Sequence, residues 1–217
     1  MAARTTVGPD LSSERAFWSA GLLRVAGVDE VGRGAMAGPL VAAAIMLPVD
    51  ELGEIEGILT GVRDSKMLSP DGRERLYPVI CATAIGIGVG VVKVAELDVV
   101  GVGNANRLAM ERAIGALPLN PDALLLDATT LALELPQVGL IKGDARCLSI
   151  AAASIIAKVT RDRMMVAWHE HDPRFGFATH KGYCTADHLD ALRRHGPCAI
   201  HRRSFAPVGN VINASLQ

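Results

Sequence analysis

Apolar and polar residues are distributed along the chain in a pattern that predicts five strands and three helices. Runs rich in Val, Ile, Leu and Ala end at Gly, Pro or charged residues, as the strands of a buried sheet do. Other stretches place apolar residues at helical spacing, and one of them lies between a Thr cap and a Gly stop. We predict strands at 24–31, 38–47, 83–94, 122–127 and 137–144, and helices at 104–117, 145–172 and 185–196.

The order of these elements predicts an α/β fold, with a mixed sheet flanked by helices and a small helical part at the C-terminus. The chain has 217 residues, 50% of them hydrophobic, which is enough for one compact domain and a small appendage. Gly86, Gly88 and Gly90 alternate inside the third strand. Because they do not lie between a strand and a helix, a dinucleotide fingerprint is not indicated.

The net charge of −1 conceals an uneven distribution. Residues 1–141 hold 11 Lys and Arg against 17 Asp and Glu, whereas residues 142–217 hold 11 against 6, together with all six histidines. A basic half favours an anionic partner, and carboxylates beside apolar strands favour cations. Segregation of surface charge by chance is the alternative interpretation.

The composition also predicts the cellular setting. Four cysteines without metal-type spacing indicate reduced thiols. The N-terminal segment lacks the apolar core of a signal peptide, and no apolar run is long enough to span a membrane. We therefore expect a cytoplasmic protein without membrane attachment.

Four acidic residues lie at predicted strand ends, where a metal site is one of two interpretations. Asp29 and Glu30 close the first strand, Asp127 ends the fourth, and Asp144 follows the apolar run VGLIK of the fifth. Converging carboxylates repel one another until a divalent cation neutralises them, and oxygen ligands alone favour Mg²⁺ or Mn²⁺. Alternatively, Asp144 caps a helix beginning at Ala145, and Asp127 opens a turn.

The adjacency of Asp29 and Glu30 poses a geometric problem. Neighbouring side chains on a strand point to opposite faces of the sheet. Both acids reach one site only if the strand is ending there, or if Glu30 contributes its backbone carbonyl. From the spacing alone, a metal site and a structural role for these residues remain open.

Several other residues are candidates for contacts with sugar, base or phosphate. A loop of Gly32, Arg33 and Gly34 brings bare backbone and one cation close to a ligand, although a tight turn also needs glycine. Tyr183 follows a glycine and suits stacking on a base or sugar, or simple packing. The candidate phosphate contacts, each of which is also an ordinary polar surface residue by default, are Ser65, Lys66, Lys158, Arg161 and Lys181.

Six blocks of the sequence together resemble bacterial ribonuclease HII. They are GVDEVGRGAMAGPLV, DSKMLS, IKGD, SIAAASIIAKVTRDRMM, HKGYCTADHL and HRRSFAPV, and they extend from about Leu23 to Val208. The resemblance implies a ribonuclease-H-like mixed five-stranded sheet with flanking helices. It divides the chain into an N-terminal extension (1–22), a catalytic domain (23–170) and a C-terminal helical substrate-binding part with a tail (171–217).

The resemblance also implies a phosphodiester hydrolase that cuts the RNA strand of RNA–DNA hybrids and cuts 5′ of single ribonucleotides embedded in duplex DNA. The products would carry 3′-hydroxyl and 5′-phosphate ends. It assigns catalysis and two Mn²⁺ or Mg²⁺ ions to Asp29, Glu30, Asp127 and Asp144. It assigns recognition of the 2′-hydroxyl and of the RNA–DNA junction to Gly32, Arg33, Gly34 and Tyr183. A monomer is expected by resemblance alone.

Two departures from the family pattern and three alternatives qualify this interpretation. Asp127 is followed by ATT instead of a Gly-Asn pair, and Cys184 replaces the more usual Gly or Pro. The alternatives are a ribonuclease HIII, which would carry a larger N-terminal domain, a non-catalytic nucleic-acid-binding module, and an ATP-dependent phosphotransferase. The tail GNVINASLQ lacks paired aromatics, so clamp binding is unsupported.

Overall fold

A computed structural model describes residues 8–214 of the chain. Residues 1–7 of the predicted N-terminal extension and residues 215–217 of the tail lie outside the described residues. The strands are β1 (Val25–Val31), β2 (Leu40–Met46), β3 (Gly86–Val92), β4 (Ala123–Asp127) and β5 (Gln137–Leu140). The helices are α1 (Ser12–Ser19), α2 (Ile55–Ile58), α3 (Pro70–Thr83), α4 (Val94–Val100), α5 (Val102–Gly115), α6 (Leu148–His171), α7 (Phe177–His180), α8 (Ala186–His195) and α9 (Ala206–Ala214).

The five strands form one mixed sheet in the order β3-β2-β1-β4-β5, which confirms the predicted fold class. β2 pairs antiparallel with both β1 and β3, whereas β4 pairs parallel with both β1 and β5. The fifth strand is shorter than predicted. It ends at Leu140, because Lys142 has a left-handed backbone (φ 55°) that leads into a 3₁₀ helix over Gly143–Ala145.

Helices cover both faces of the sheet. α6 packs on β1 and β2 from one side, and α5 packs on β2 and β3 from the other. The alternating glycines of β3 make the second contact possible, since a Cβ at Gly88 or Gly90 would lie 2.0 Å from a carbonyl oxygen of α5. These glycines are therefore a packing surface for a helix.

The long helix α6 begins three residues later than predicted. Its N-cap is Cys147, whose side chain accepts no capping hydrogen bond. The buried carboxylate of Glu14, on α1, instead accepts a hydrogen bond from Ser149 N at 2.8 Å. A helix N-terminus favours a negative charge, so α1 supplies the cap from outside α6.

The C-terminal part packs against the loop that connects β1 to β2. Phe175, Phe177 and Ile200 form a buried cluster with Met165 of α6 and Ala37 of that loop. Within this part, Thr185 caps α8 as predicted by accepting a hydrogen bond from His188 N, and Gly196 ends the helix. The loop is therefore held between the sheet and the C-terminal helices.

Candidate active site

The carboxylates predicted at strand ends meet at one edge of the sheet. β1 and β4 are parallel neighbours, with Val28 opposite Leu126, so Asp29 and Asp127 follow at the same level. Asp144 reaches this edge from the 3₁₀ helix after β5. Asp127 Oδ1 accepts a hydrogen bond from Gly143 N at 2.7 Å, which joins the end of β4 to the turn carrying Asp144.

Glu30 approaches the same place from the opposite face. The neighbouring Val28 packs in the cluster beneath α5, whereas Val25 packs in the cluster beneath α6, so the side chains of β1 alternate as expected. Glu30 therefore lies on the α5 side, where Asn106 stabilises its charged form by a hydrogen bond. We call Asp29, Glu30, Asp127 and Asp144 the acidic edge.

Burial and mutual repulsion make charge costly at the acidic edge. Burial raises the pKa of Asp29 well above its usual value, and the charges of Glu30 and Asp127 raise it further. Burial and then Asp127 raise the pKa of Glu30, while burial and then the charge of Asp64 raise that of Asp144. The one cation within ion-pair distance of Asp144 in the described residues is Lys66, with its Nζ 3.6 Å from Oδ2.

This donor set fits divalent cations of the Mg²⁺ and Mn²⁺ kind. It consists of carboxylate oxygens that repel one another, and a hard cation would neutralise them. Within residues 8–214, no three His, Cys, Asp or Glu side chains are already arranged to hold one ion. The fit therefore rests on the chemistry of the donors and on their repulsion.

The structural alternatives for two of the acids are wrong. Asp144 does not cap the long helix, because that helix begins at Leu148 and Asp144 lies within the preceding 3₁₀ helix. Asp127 does not open the following turn, because its Oδ1 accepts from Gly143 N. The turn is instead made by Ala128, whose φ of 51° places a non-glycine residue in left-handed backbone.

Two polar residues beside the acidic edge were missed by the sequence analysis. Asp64 lies near Asp144 and accepts a hydrogen bond from Lys66 N at 2.9 Å, so it orders the turn that presents Lys66. Asn106 is 8% exposed, on the face of α5 that buries Ala105 and Ala109. A polar residue at a buried helical position was the available signal for Asn106.

The glycine-rich loop reaches the surface beside the acidic edge. Gly32 is buried with φ 89°, and a Cβ there would lie 2.3 Å from Arg161 Nε. Arg33 and Gly34 are exposed, and no atom lies within 4 Å of a Cβ added at Gly34. The loop therefore packs its first glycine inward and leaves an arginine and a bare backbone open to a ligand.

Arg161 does not occupy the position predicted for a phosphate contact. It is fully buried, and its guanidinium donates hydrogen bonds of 2.9 to 3.0 Å to the carbonyls of Pro39, Lys181 and Ala37. Full burial keeps the guanidinium from contacting a nucleic acid on the surface. The structure therefore gives Arg161 the role of tying the β1–β2 loop to the segment before Tyr183.

Arg202 acts in the same way and was missed. It is fully buried and donates to the carbonyls of Gly38, Arg33 and Pro39 at 3.0 to 3.2 Å. Burial lowers its pKa to about 9, and the nearby charge of Arg161 adds to that effect. Nothing in the pattern around Arg202 marks it as buried, since it follows a histidine and precedes another arginine.

Tyr183 lies next to this loop. The backbone carbonyl of Gly182 accepts hydrogen bonds from Met36 N and Ala37 N, so the two segments are joined directly. The Arg161 guanidinium carbon lies 5.4 Å from the centre of the Tyr183 ring. The structure thus brings Tyr183 and the glycine-rich loop together, as the assignment to one binding site requires.

The remaining phosphate candidates differ in exposure. Lys66 is exposed, whereas Ser65 is buried, with its backbone bonded to Ser154 and Arg73. Lys158 is mostly buried; its Nζ lies 2.7 Å from Asp162 Oδ1, and burial lowers its pKa.

Lys158 and Lys181 nevertheless line one cavity of about 640 Å³ with Tyr183. That cavity is a groove between α3, α6 and the Tyr183 segment, and it is open at the surface.

Solved structures of known proteins share this fold. A solved structure of ribonuclease H2 from Pyrococcus horikoshii superposes with a TM-score of 0.76 and 27% identity, covering 89% of this chain and 99% of that one. A ribonuclease HIII structure in complex with Mn²⁺ has a TM-score of 0.70 and 21% identity, and it shares the fold. Fold and clustered carboxylates therefore define a ribonuclease of the H class.

Sequence relatives narrow the class to a family. The model of the ribonuclease HII family matches residues 26–208. A ribonuclease HII of Geobacillus kaustophilus is 50% identical over 204 residues, covering 94% of this chain and 76% of that protein. One of Roseiflexus castenholzii is 49% identical over 215 residues, covering 96% of each. The chain belongs to the ribonuclease HII family and is a type 2 ribonuclease H, a hydrolase that acts as an endonuclease.

This membership confirms the resemblance and favours ribonuclease HII over the ribonuclease HIII and non-catalytic alternatives. Across the part of the chain that the structure describes, no helix is both long and apolar enough to cross a membrane.

Proposed function

We propose that the chain hydrolyses the RNA strand of RNA–DNA hybrids and cuts 5′ of single ribonucleotides embedded in duplex DNA, leaving 3′-hydroxyl and 5′-phosphate ends. The observation that carries this proposal is the convergence of four buried or half-buried carboxylates beside an exposed glycine-rich loop and a tyrosine. An acidic edge suits divalent cations, and the adjoining loop suits a sugar hydroxyl.

Asp29, Glu30, Asp127 and Asp144 are the proposed metal ligands and catalytic residues. Two Mn²⁺ or Mg²⁺ ions bound there would supply Lewis-acid stabilisation of the phosphate and a water of lowered pKa. The chain contributes carboxylates whose burial and repulsion already disfavour the metal-free charged state. Asn106 and the hydrogen bond from Gly143 hold Glu30 and Asp127 in place for this role.

Recognition of the ribonucleotide is proposed for Gly32, Arg33, Gly34 and Tyr183. The exposed backbone at Gly34 allows close approach to a 2′-hydroxyl, which is what distinguishes RNA from DNA. The Tyr183 ring suits stacking against the sugar or base at the junction. Hydrogen bonds between Gly182 and the β1–β2 loop keep both groups on one rigid support.

The duplex backbone is proposed to contact lysines beside the acidic edge and along the groove. Lys66 extends over the acidic edge, and Lys158 and Lys181 line the groove beside Tyr183. Such contacts position a duplex without reading its sequence. Residues 171–217 would accordingly serve as the substrate-binding part and residues 23–170 as the catalytic domain. A role in ribonucleotide excision and RNA primer removal, in the cytoplasm and as a monomer, completes the proposal.

The test is a gel assay on a labelled DNA duplex with one internal ribonucleotide, in Mg²⁺, Mn²⁺ or EDTA. Metal-dependent cutting on the 5′ side of the ribonucleotide, with none in the all-DNA duplex, is the expected result. Cutting of long hybrids alone would overturn the roles of the glycine-rich loop and Tyr183. Absence of cutting under any metal would overturn the proposal as a whole.

A further inference from the structure

Three histidines pack around the backbone of the segment that carries Tyr183. His188 and His201 are 0% and 1% exposed, and His180 is partly buried. The rings of His180 and His188 stack with their centres 4.2 Å apart, and the Nε2 atoms of His188 and His201 lie 3.1 Å apart. Nothing in the proposed catalytic chemistry uses these groups.

The hydrogen bonds of His188 and His201 fix where their protons lie. The Cys198 backbone N–H donates to His201 Nδ1 at 3.0 Å, so that nitrogen carries no proton. The proton of His201 is therefore on Nε2, which donates to Nε2 of His188. His188 consequently carries its proton on Nδ1 and donates it to the Tyr183 carbonyl at 2.9 Å. We call this directed series, from Cys198 to Tyr183, the histidine relay.

His180 holds the other side of the same segment. Its Nδ1 accepts from Gly182 N at 3.2 Å, so its proton lies on Nε2, which donates to the Phe175 carbonyl at 2.6 Å. The Tyr183 carbonyl also accepts from Thr185 N at 2.9 Å, so both of its lone pairs are used. Imidazoles thus hold the backbone on each side of the Gly182–Tyr183 bond.

The histidine relay works only while both of its rings are neutral. A second proton on either ring would place one N–H against another, either between the two Nε2 atoms or between Cys198 N and His201 Nδ1. In the described residues, no carboxylate accepts a hydrogen bond from these rings. The charged and titratable groups that face the three rings are Asp172, Asp187, Lys181, His169 and the thiol of Cys198.

We propose that His188 and His201 are positioning residues for Tyr183, holding its backbone so that its ring meets the ribonucleotide junction. This inference rests on the proposed function of Tyr183. It assigns specificity to two buried groups that do not touch the substrate, acting through the carbonyl of a residue that does. Loss of the relay is therefore expected to impair cutting at a lone ribonucleotide more than cutting of a long hybrid.

The test is a double-mutant cycle with His188→Phe and Tyr183→Ala, measured on a lone-ribonucleotide duplex and on a long hybrid. His188→Phe keeps a ring but removes both nitrogens. We expect it to lower kcat/KM on the lone-ribonucleotide duplex about 10-fold relative to the hybrid, the size of one lost hydrogen bond in a constrained site. In the Tyr183→Ala background it should cause no further change in that ratio. His171→Phe, at an exposed histidine, is the matched control.

A conservative variant and a spectrum separate positioning from general support. His188→Asn retains an amide donor near the place of Nδ1 and should recover most of the discrimination. If His188→Phe does not fold, ¹⁵N spectra of the wild-type imidazoles at pH 7 still decide. They should show a proton on Nδ1 of His188 and on Nε2 of His201. The reverse tautomers, or a charged ring, would overturn the relay.

The outcomes distinguish this inference from the function on which it rests. If Tyr183→Ala alone leaves the discrimination unchanged, the junction role of Tyr183 is wrong. If Tyr183→Ala lowers it but His188→Phe lowers both substrates equally, or adds to the loss in the double variant, the positioning role of His188 is wrong.

Discussion

Buried polar groups are arranged in opposite ways at the acidic edge and in the network of Arg161, Arg202 and the histidine relay beneath Tyr183. Asp29 and Asp127 each accept one backbone hydrogen bond, and the charges of the neighbouring carboxylates raise the pKa of Asp29. Beneath Tyr183, by contrast, Arg161, Arg202 and the histidine relay direct their donors to backbone carbonyls or to one another. The carboxylates of the acidic edge repel one another, and a bound cation can relieve that repulsion. The polar groups beneath Tyr183 have hydrogen-bond partners without a ligand.

This difference indicates what each region is for. A cluster of carboxylates that repel one another costs stability in the metal-free protein, as is expected of a site prepared for divalent ions. A satisfied polar network rigidifies the backbone that it holds. The first region suits chemistry and the second suits the accurate placement of a substrate. Changes in the two regions should therefore have opposite effects on stability.

The largest effect is expected for Asp29→Asn. Removing a proposed metal ligand should lower cleavage about 10³-fold or more, because several kcal/mol of charge stabilisation in the transition state are lost. In EDTA, the same change should raise the free energy of unfolding by about 1–3 kcal/mol, because a buried carboxylate among like charges is removed.

Glu51→Gln, at an exposed acid, removes the same charge and should alter neither quantity. Full activity of Asp29→Asn, or a loss of metal-free stability in urea titration, would contradict the account of the acidic edge.

Acid should destabilise the histidine relay by the next largest amount. Burial is the main reason that the pKa of His188 and that of His201 fall to about 4, from about 6.5 in the unfolded chain. A smaller contribution comes from the charge of His180 on His188 and from the charge of His188 on His201. Below pH 6.5 the unfolded chain binds more protons, so stability is lost as the pH falls from about 6.5 to about 4. Each ring accounts for up to about 3 kcal/mol.

The measurement is the free energy of unfolding against pH for the wild type and for a variant carrying His188→Phe and His201→Phe. The difference between the two curves gives the contribution of the imidazoles alone, because both proteins keep the carboxylates of the acidic edge. The raised pKa values of those carboxylates make the free energy of unfolding increase, not decrease, as the pH falls. Curves that stay parallel from pH 7 to pH 4 would show that these rings do not resist protonation.

Arg202→Met should destabilise the protein by about 2–3 kcal/mol. Arg202 donates three hydrogen bonds to carbonyls of the β1–β2 loop, those of Gly38, Arg33 and Pro39. Of these three carbonyls, only that of Pro39 also accepts a hydrogen bond from Arg161. Buried carbonyls without donors are costly. The adjacent Arg203→Met, at an exposed side chain, should change stability by less than about 0.5 kcal/mol. Equal losses of stability for the two variants in chemical denaturation would mean that the buried hydrogen bonds of Arg202 do not stabilise the loop.

The smallest effect is expected at the turn after Asp127. Ala128 has φ 51°, which is strained for a residue with a Cβ. Ala128→Gly should therefore stabilise the protein by about 0.5–1 kcal/mol, since relief of strain exceeds the added freedom of the unfolded chain. Ala116→Gly, at an exposed residue with φ −90°, should destabilise it instead. Thermal unfolding of the two variants gives the comparison, and a loss at both positions would contradict it.

The departure from the family pattern at Asp127 now has a physical meaning. The residue after this acid must adopt left-handed backbone so that the chain can leave β4, a conformation that glycine adopts without strain. Alanine occupies the position here, at the end of a strand that is otherwise buried. The departure changes the strain of the turn and leaves Asp127 bonded to Gly143.

The strand and helix pattern predicted the fold because the central strands bury their apolar residues, as β2 does along its whole length. The five strands, the cap at Thr185 and the stop at Gly196 were all predictable from local sequence. The start of α6 was not, because its cap comes from Glu14 on another helix. The end of β5 was missed because the left-handed backbone at Lys142 has no residue signal.

The sequence by itself determined which acids end strands, which loop carries bare glycine, and which family these blocks resemble. Those features are local, and the chemistry of each residue type limits what it can do. Only the tertiary structure decided that Arg161 is buried and donates to backbone carbonyls, and that Asn106 donates a hydrogen bond to Glu30. It also decided that His201 donates to His188, which donates to the Tyr183 carbonyl. Such roles depend on which distant backbone groups a side chain meets after folding, and residue type and spacing carry no record of that.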